Sequence, residues 1–223
     1  MDKIIINEIT HQGMVVDGVL IAGSNTKIEF QNTHGINIIA ECYNDIECGN
    51  DCIIECRSYC KIKCGNSCII KTIDDNQIET GDYCVIEGEC FNEIKTGKFC
   101  KVELQDSNEI EIGKSCEIVI GEGNAVKADK KCTIKANNEN TIEAKSGSRI
   151  FVGNDCDVTL IGKNILLEIN GRDSIVYNEA TDGVLITRNE KGKLRTYKIN
   201  KIKKGMVTIE NSKICLDYNN DIE

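Results

Sequence analysis

The sequence predicts an all-β, parallel β-solenoid, and three features of the 223-residue chain point to it. Residues 28–171 repeat every eight positions, and fixed-period self-similarity is the signature of a repeat architecture. Within each repeat, apolar and polar residues alternate with a period of two, which is typical of a strand with one buried face. The chain contains no proline, a residue that could not donate a hydrogen bond to a neighbouring strand.

The repeat is most regular from Asn44 onward, where successive octads read NDIECGND, CIIECRSY, CKIKCGNS, CIIKTIDD and NQIETGDY. Octad positions 1, 3 and 5 hold small or apolar residues, and positions 2 and 4 are mostly polar. Positions 6 to 8 are rich in Gly, Asn, Asp, Ser and Lys, which favour turns. Further octads that begin at Ile28, Ile36 and Asn164 are degraded but in phase, so residues 28–171 contain eighteen octads.

The first octad position indicates how many octads form one coil. It alternates between two sets that each recur at every second octad, namely Asn44, Asn76, Asn92, Asn108, Asn124 and Asn140, and Cys52, Cys68, Cys84, Cys100, Cys116 and Cys132. Cys60 and Ser148 are exceptions within these columns. The alternation predicts two octads per coil, which is a sixteen-residue coil, and therefore nine coils. Crossover connections between parallel strands are predominantly right-handed, which favours a right-handed winding of the solenoid.

The fourth octad position supports the same coil length. At every second octad it reads Glu47, Lys63, Glu79, Lys95, Glu111, Lys127 and Glu143. Neighbouring strands lie about 4.8 Å apart, so a coil of two octads brings opposite charges together on every step. A coil of one octad would place like charges side by side.

Both ends of the chain depart from the octad. Residues 1–27 are apolar without a strict phase, which predicts an N-terminal cap or an irregular first coil. Residues 172–223 predict a C-terminal β-hairpin module that covers the last coil or pairs with a second copy of the chain. Its segments typical of antiparallel strands are IVY at 175–177, VLITR at 184–188, LRTYKI at 194–199 and MVTIE at 206–210.

Charge is unevenly distributed along the chain, whose formal net charge is −9. Residues 28–171 contain 25 Asp and Glu against 15 Lys and Arg, whereas residues 172–223 contain 8 against 10. The sequence therefore predicts an acidic rod that ends in a basic hairpin. The chain lacks the start typical of a secretory signal and any apolar run of membrane-spanning length, so a cytoplasmic location is expected.

The fourteen cysteines invite a metal or redox interpretation. Cys48, Cys52, Cys56, Cys60, Cys64 and Cys68 are each separated by three residues, a spacing within the range of zinc motifs. The same spacing is half of the octad, and positions 1 and 5 both face inward. A buried free cysteine packs as a small apolar residue. Packing is the favoured interpretation, with no metal ligand and no cofactor predicted; a metal or redox ladder is the alternative.

The sequence predicts no enzyme activity. His11 and His34 are the only histidines, and no Ser/His/Asp or Cys/His constellation can be placed from the spacing. The glycines follow the octad and precede no helix, which argues against a phosphate-binding loop. The asparagine column is typical of an amide ladder in which each side chain bonds the next.

Three surface features are candidate binding sites. Ile53, Ile69 and Val85 occupy position 2 on consecutive coils, beside turns that carry Tyr83, Phe91 and Phe99. Such an apolar stripe marks a partner or self-association surface, unless an end segment covers it. The second feature is the charged column that contains Glu79, Glu111 and Glu143. The third is the basic segment with Arg188, Lys191, Lys193, Arg195 and Lys198.

The strings CGNSCIIK and CGNDCIIEC resemble cysteine-rich short-repeat solenoid proteins of phages and low-GC anaerobic bacteria. This resemblance covers the repeats and implies no particular activity. In architecture, the predicted rod is also similar to pentapeptide-repeat proteins, acidic solenoids that inhibit DNA gyrase by imitating DNA. Because the repeat length differs, only the logic of mimicry carries over.

The leading functional hypothesis is a non-catalytic, acidic binding protein. Its most concrete form is an inhibitor or decoy that blocks a nucleic-acid-handling protein partner, such as a defence nuclease. The alternative is a self-assembling structural protein, such as a filament, spike or shell component. A second copy of the chain is a further expected partner, through the C-terminal module, whereas contacts with a membrane and direct nucleic-acid binding are not expected.

Overall fold

The computed structural model describes residues 5–7, 14–16, 19–29, 34–188, 192–202, 204–210 and 213–215, with backbone only at 5–7 and 14–16. The chain forms two compact units, Met1–Gly113 and Lys114–Glu223. Each is an all-β, parallel β-solenoid with two octads per coil, which confirms the predicted fold class. The described residues contain one helical segment, the 3₁₀ helix Ile199–Lys201. No helix among them is long and apolar enough to cross a membrane.

Each unit contains two sheets, because successive octads contribute their strands alternately to one sheet and then to the other. We call the strands that follow the asparagine column the asparagine sheet, and those that follow the cysteine column the cysteine sheet. In the first unit, the described strands of the asparagine sheet are, in spatial order, β1 (Ile5–Asn7), β4 (Lys27–Glu29), β6 (Asp45–Glu47), β8 (Lys61–Cys64), β10 (Gln77–Thr80), β12 (Glu93–Thr96) and β14 (Glu109–Ile112). Those of the cysteine sheet are β2 (Met14–Val16), β3 (Val19–Ala22), β5 (Asn37–Ala40), β7 (Ile53–Cys56), β9 (Ile69–Lys71), β11 (Val85–Glu87) and β13 (Lys101–Leu104).

The second unit repeats this arrangement. The described strands of its asparagine sheet are β16 (Ala125–Ala128), β18 (Thr141–Lys145), β20 (Asp157–Gly162), β22 (Ser174–Ala180), β25 (Gly205–Glu210) and β26 (Lys213–Cys215). Those of its cysteine sheet are β15 (Glu117–Ile120), β17 (Thr133–Ala136), β19 (Arg149–Val152), β21 (Ile165–Ile169), β23 (Gly183–Arg188) and β24 (Leu194–Lys198).

Strand pairing follows the predicted step of two octads in the regular repeats. Ile78 lies opposite Ile62 on one side and Ile94 on the other, and all three are buried. On the outer face of the same strands, Glu79 lies opposite both Lys63 and Lys95, as the charge column predicts. Inward isoleucines and valines at octad position 3 therefore form the core, and position 4 forms an outward charge ladder.

Two of the outer predicted octads are out of phase. Ile28 pairs with Ile46, which is a step of 18, and Ile150 pairs with Leu167, which is a step of 17. The predicted octads from Ile28 and Asn164 are therefore wrong in phase. The paired residues are all buried, so the inward side chains keep their register despite the longer steps.

Antiparallel strands cover the ends of the parallel stacks. β1 and β2 pair antiparallel with β4 and β3. At the C-terminal end, β22 and β23 first continue the parallel pairing, with β20 and β21 respectively. The predicted antiparallel pairing is found on their other edges, with β25 and β24. The segments 175–177 and 184–188 therefore extend the solenoid before the antiparallel strands begin.

The asparagine column satisfies the backbone at one corner of the solenoid. Asn92 accepts hydrogen bonds at Oδ1 from the backbone N–H and from the side-chain amide of Asn76, both at 3.1 Å. It donates from Nδ2 to the backbone carbonyls of Ile73 (2.9 Å) and Cys90 (3.1 Å). One buried side chain thus satisfies several main-chain groups. The predicted amide ladder is confirmed.

Cysteine takes the equivalent place at the opposite corner. The Cys84 Sγ accepts from the backbone N–H of Cys68 (3.4 Å) and donates to the carbonyl of Gly65 (3.3 Å). Where Ser148 interrupts the column, its Oγ accepts from the backbone N–H of Cys132 (3.2 Å). All fourteen cysteines are thiols rather than disulfides, and the column is buried. The predicted cysteine ladder is therefore confirmed.

A second polar ladder runs along the outside of the turns, and the sequence analysis missed it. The Oδ1 of Asn66, at octad position 7, accepts from the backbone N–H of Asp82 on the next coil (2.8 Å). A Cβ atom at Gly81 would lie 2.2 Å from the same oxygen. The position-6 glycine is therefore required for this close approach. The left-handed residue of the turn is at position 8, for example Tyr83 with φ of 62°.

Replacing one inward asparagine tests the amide ladder. Asn92→Ala should lower the free energy of unfolding by about 3 kcal/mol, because buried backbone donors and acceptors lose their partners. Asn92→Cys should cost less, since Cys60 already occupies this column and its Sγ donates to the carbonyl of Glu41 (3.3 Å). Urea unfolding of the two variants gives the comparison. Equal stability of Asn92→Ala and the wild type would contradict a structural role for the ladder.

Candidate binding surface

The first unit carries an apolar column on the outer face of its cysteine sheet. Ile53 pairs with Ile69, and Ile69 pairs with Val85, on the neighbouring strands β7, β9 and β11. Ile53 and Ile69 are 38% and 39% exposed, although the inward side chains of the same strands are buried. The column therefore faces solvent and is not covered by the end segments that the structure describes.

Two aromatic rings lie at the corner that precedes strands β11 and β13 of the cysteine sheet. Tyr83 and Phe99, from consecutive coils, stack with ring centroids 5.1 Å apart and an interplanar angle of 10°. The two rings are 59% and 50% exposed, and Tyr83 lies two residues before Val85 in the chain. We define the apolar surface as Ile53, Ile69, Val85, Tyr83 and Phe99.

The backbone beneath the two rings is strained. Tyr83 and Phe99 have φ angles of 62° and 59°, in the left-handed region that costs an L-residue about 1–2 kcal/mol. Asp51 and Ser67 occupy the same turn position on earlier coils, with the same backbone conformation. The turn therefore does not require an aromatic residue. The rings therefore present apolar area to solvent that the conformation of the turn does not explain.

A second aromatic stack lies at the opposite corner of the first unit, and the sequence analysis missed it. Tyr43 and Tyr59 stack with centroids 4.9 Å apart and planes 6° apart. The negative charge of Asp75, together with a hydrogen bond to it, raises the pKa of the Tyr59 hydroxyl. Phe91 is also at this corner and is exposed. The signal available in the sequence was the recurrence of aromatic residues at octad position 8.

Acidic charge is concentrated in the unit that carries the apolar surface. Residues 1–113 contain 20 Asp and Glu against 9 Lys and Arg, a net charge of −11. Residues 114–223 contain 16 against 18, a net charge of +2. The net acidic charge therefore belongs to the first unit, which also carries the apolar surface.

The glutamates predicted as binding residues lie on strands of the asparagine sheets, whereas the apolar column lies on the cysteine sheet. Glu79 and Glu111 are on the asparagine sheet of the first unit, within 3.8 Å of Lys63 Nζ and 3.6 Å of Lys95 Nζ respectively. Glu143 lies opposite Lys127 in the second unit. Because each faces a lysine, these glutamates stabilise neighbouring strands and contribute little net field.

The basic residues predicted as a binding segment belong to the second unit. The Arg188 guanidinium pairs with Glu168 (3.3 Å) and donates to the Asn170 side chain (3.0 Å), which ties it to the solenoid. The remaining described members are on or next to β24, and Lys191 lies outside the described residues. Those members are Lys193, Arg195 and Lys198.

A shallow groove of about 320 Å³ lies on the asparagine sheet of the first unit. Its lining is a mixture of lysine, carboxylate and isoleucine side chains, including Lys61, Glu79 and Glu93. His34 is not among the lining residues; its Nδ1 lies 3.7 Å from the Asp51 carboxylate, and both side chains are exposed. His11 lies outside the described residues. The charged groups of the groove belong to the outward charge ladder, in which Lys63 Nζ lies 3.8 Å from Glu79.

The first unit also brings together buried thiols. The Sγ atoms of Cys64, Cys68 and Cys84 lie within 4.8 Å of one another. Spacing along the chain did not predict this group, because Cys84 belongs to the next coil. The pKa of Cys84 is lowered because Cys100, Cys64 and Cys68 donate hydrogen bonds to its sulfur. These residues are the ones in the described structure that could hold a soft metal ion.

Comparisons with models of known protein families, with curated proteins and with solved structures find no match to this chain. The resemblance to cysteine-rich repeat proteins of phages and anaerobic bacteria therefore stays a prediction.

Replacing the strained aromatic pair tests whether the fold needs it. Tyr83→Asn with Phe99→Asn should leave the free energy of unfolding unchanged or raise it by about 1 kcal/mol, because asparagine tolerates the left-handed region. Ile70→Ala, at a buried position of β9, should instead lower it by about 2–5 kcal/mol. Urea unfolding measures both. A large loss of stability in the asparagine variant would assign the rings to the fold.

Proposed function

We propose that the chain is a non-catalytic binding protein that acts as an inhibitor or decoy. Its first unit docks through the apolar surface on a basic groove of a nucleic-acid-handling protein, such as a defence nuclease. The observation that carries the proposal is the exposed stack of Tyr83 and Phe99 beside the aliphatic column of Ile53, Ile69 and Val85.

The chemistry of the apolar surface supports a protein partner. Interface hot spots are enriched in aromatic residues that are surrounded by contacts able to exclude water. Tyr83 and Phe99 are rigid rings that the turn presents outward, and Ile53 and Ile69 extend the same face with aliphatic area. Because these side chains are already held in place by the solenoid, binding would order few additional groups.

The charge of the first unit supports a basic partner. A net charge of −11 attracts a positively charged groove over distance and raises the rate of encounter. Grooves of that sign are what nucleic-acid-binding proteins use for phosphates. An acidic solenoid with an apolar anchor would therefore compete with nucleic acid for the groove.

A capture experiment with matched variants tests the proposal. The full chain is immobilised, exposed to lysate of its native host, and eluted first with salt and separately with short duplex DNA. We expect a nucleic-acid-handling protein to be retained by the wild type and released by both treatments, since salt screens the attraction. Retention should be lost in Tyr83→Asn with Phe99→Asn.

The control is Tyr43→Asn with Tyr59→Asn, which removes an equally exposed and equally strained stack from the opposite corner. This control should retain the partner. Retention of the partner that is unaffected by salt and by the Tyr83 and Phe99 changes would contradict the proposal.

The same exposed apolar surface also favours a second candidate, self-assembly into a filament or shell. Size-exclusion chromatography with light scattering separates the two candidates. An inhibitor should be a discrete monomer or small oligomer at all concentrations. Open-ended assembly that disappears in Tyr83→Asn with Phe99→Asn would establish the structural function instead.

A further inference from the structure

Three buried thiols converge at one corner of the first unit. Cys64 ends β8, and Cys68 follows it across the turn, immediately before β9. Cys84 takes the place of Cys68 one coil later, immediately before β11. The three Sγ atoms lie within 4.8 Å of one another, and all three residues are buried.

Packing does not require sulfur at these positions. Thr80 occupies the place of Cys64 on the next coil, and it is buried there as well. Ser148 occupies the cysteine column in the second unit, where its Oγ accepts the same kind of backbone hydrogen bond that Cys84 Sγ accepts. Since threonine and serine fill these columns elsewhere, the concentration of thiols on neighbouring coils points to sulfur chemistry.

A main-chain hydrogen bond to Cys84 can stabilise a thiolate at this sulfur. The backbone N–H of Cys68 donates to the Cys84 Sγ at 3.4 Å, and an N–H donor stabilises negative charge on sulfur. The thiolate is the form that binds metals.

We propose that Cys64, Cys68 and Cys84 form a three-coordinate site for a soft monovalent metal ion of the Cu(I) class. Three atoms within 4.8 Å of one another place a central point at most about 2.8 Å from each sulfur. A contraction of a few tenths of an ångström reaches the metal–sulfur distance of about 2.3 Å known for zinc thiolates.

The chemistry of the donors selects the ion. Thiolates prefer soft ions such as Cu(I) and Zn(II) over hard ones. Structural zinc takes four ligands, whereas the described side chains whose ligand atoms lie within 4.8 Å of one another are these three cysteines. On binding, sulfur–metal bonds form and the displaced thiol protons pass to solvent. No electron is transferred, because copper enters as Cu(I).

An anaerobic titration of the reduced full chain with Cu(I), against a competing Cu(I) chelator, tests the site. We expect one tightly bound equivalent with three sulfur ligands in the X-ray absorption spectrum. Cys84→Ser should weaken binding by about 100-fold or more, since even the loss of an outer-shell partner costs 10–100-fold. Cys156→Ser is the control, because Cys156 is a buried thiol of the second unit that lies in the asparagine column, and its Sγ donates to the carbonyls of Asn137 and Asn154.

A folding defect is separated from loss of a ligand by a second variant. Cys64→Thr copies the native residue of the next coil, Thr80, and should fold while weakening Cu(I) binding to a similar degree. The proposal is overturned if the wild type does not compete with the chelator, or if Cys84→Ser and Cys64→Thr bind Cu(I) as tightly as Cys156→Ser. Equally tight Zn(II) binding with four sulfur ligands would also overturn the three-coordinate assignment.

Discussion

The backbone groups at the corners of a thin, two-sheet core must be satisfied without water, and the rest of the structure depends on this constraint. Each corner turns the chain from one sheet to the other, so its amides and carbonyls cannot join the regular strand ladders. The inward side chain of Asn92 satisfies such groups through hydrogen bonds with the backbone of Asn76, Ile73 and Cys90. Because the next coil presents the same groups two octads later, the same residue is needed again. The repeat is the consequence of that recurring requirement.

The inward positions are therefore committed to the fold, whereas the outward octad position 8 varies from coil to coil. At octad position 8 the turn accepts Asp51, Ser67, Tyr83 and Phe99 with the same left-handed backbone. What differs among them is the chemistry presented to solvent. The first unit uses this freedom for stacked rings, an aliphatic column and a net charge of −11. In the proposed function, folding and recognition rest on different residues of the same octad.

The sequence predicted what periodicity encodes. The alternation of apolar and polar residues indicated which side chains face inward. The columns of asparagine, cysteine and alternating charge indicated a coil of two octads, and the pairing of Glu79 with Lys63 and Lys95 confirms it. The octads from Ile28 and Asn164 were assigned the wrong phase because periodicity does not report residues added to a connection.

Other features depend on the detailed path of the turns. The alternation of apolar and polar residues carries no information about φ. The left-handed conformation of Tyr83 and the close approach of Gly81 to Asn66 were therefore not predicted. The convergence of Cys64 with Cys84 was missed because it joins residues on successive coils across a corner. The presence of cysteine at both octad positions 1 and 5 was the signal available in the sequence, but packing in the core accounted for it equally well.

Tyrosine-selective labelling of the chain, alone and with its captured partner, tests most directly whether the first unit carries recognition. Tyr83 is exposed at the apolar surface, and the partly exposed Tyr177 and Tyr197 report on the second unit. Binding through the apolar surface predicts that the partner suppresses labelling of Tyr83 and leaves that of Tyr177 and Tyr197 unchanged. Unchanged labelling of Tyr83 together with protection of Tyr197, on β24 beside the basic residues, would contradict it.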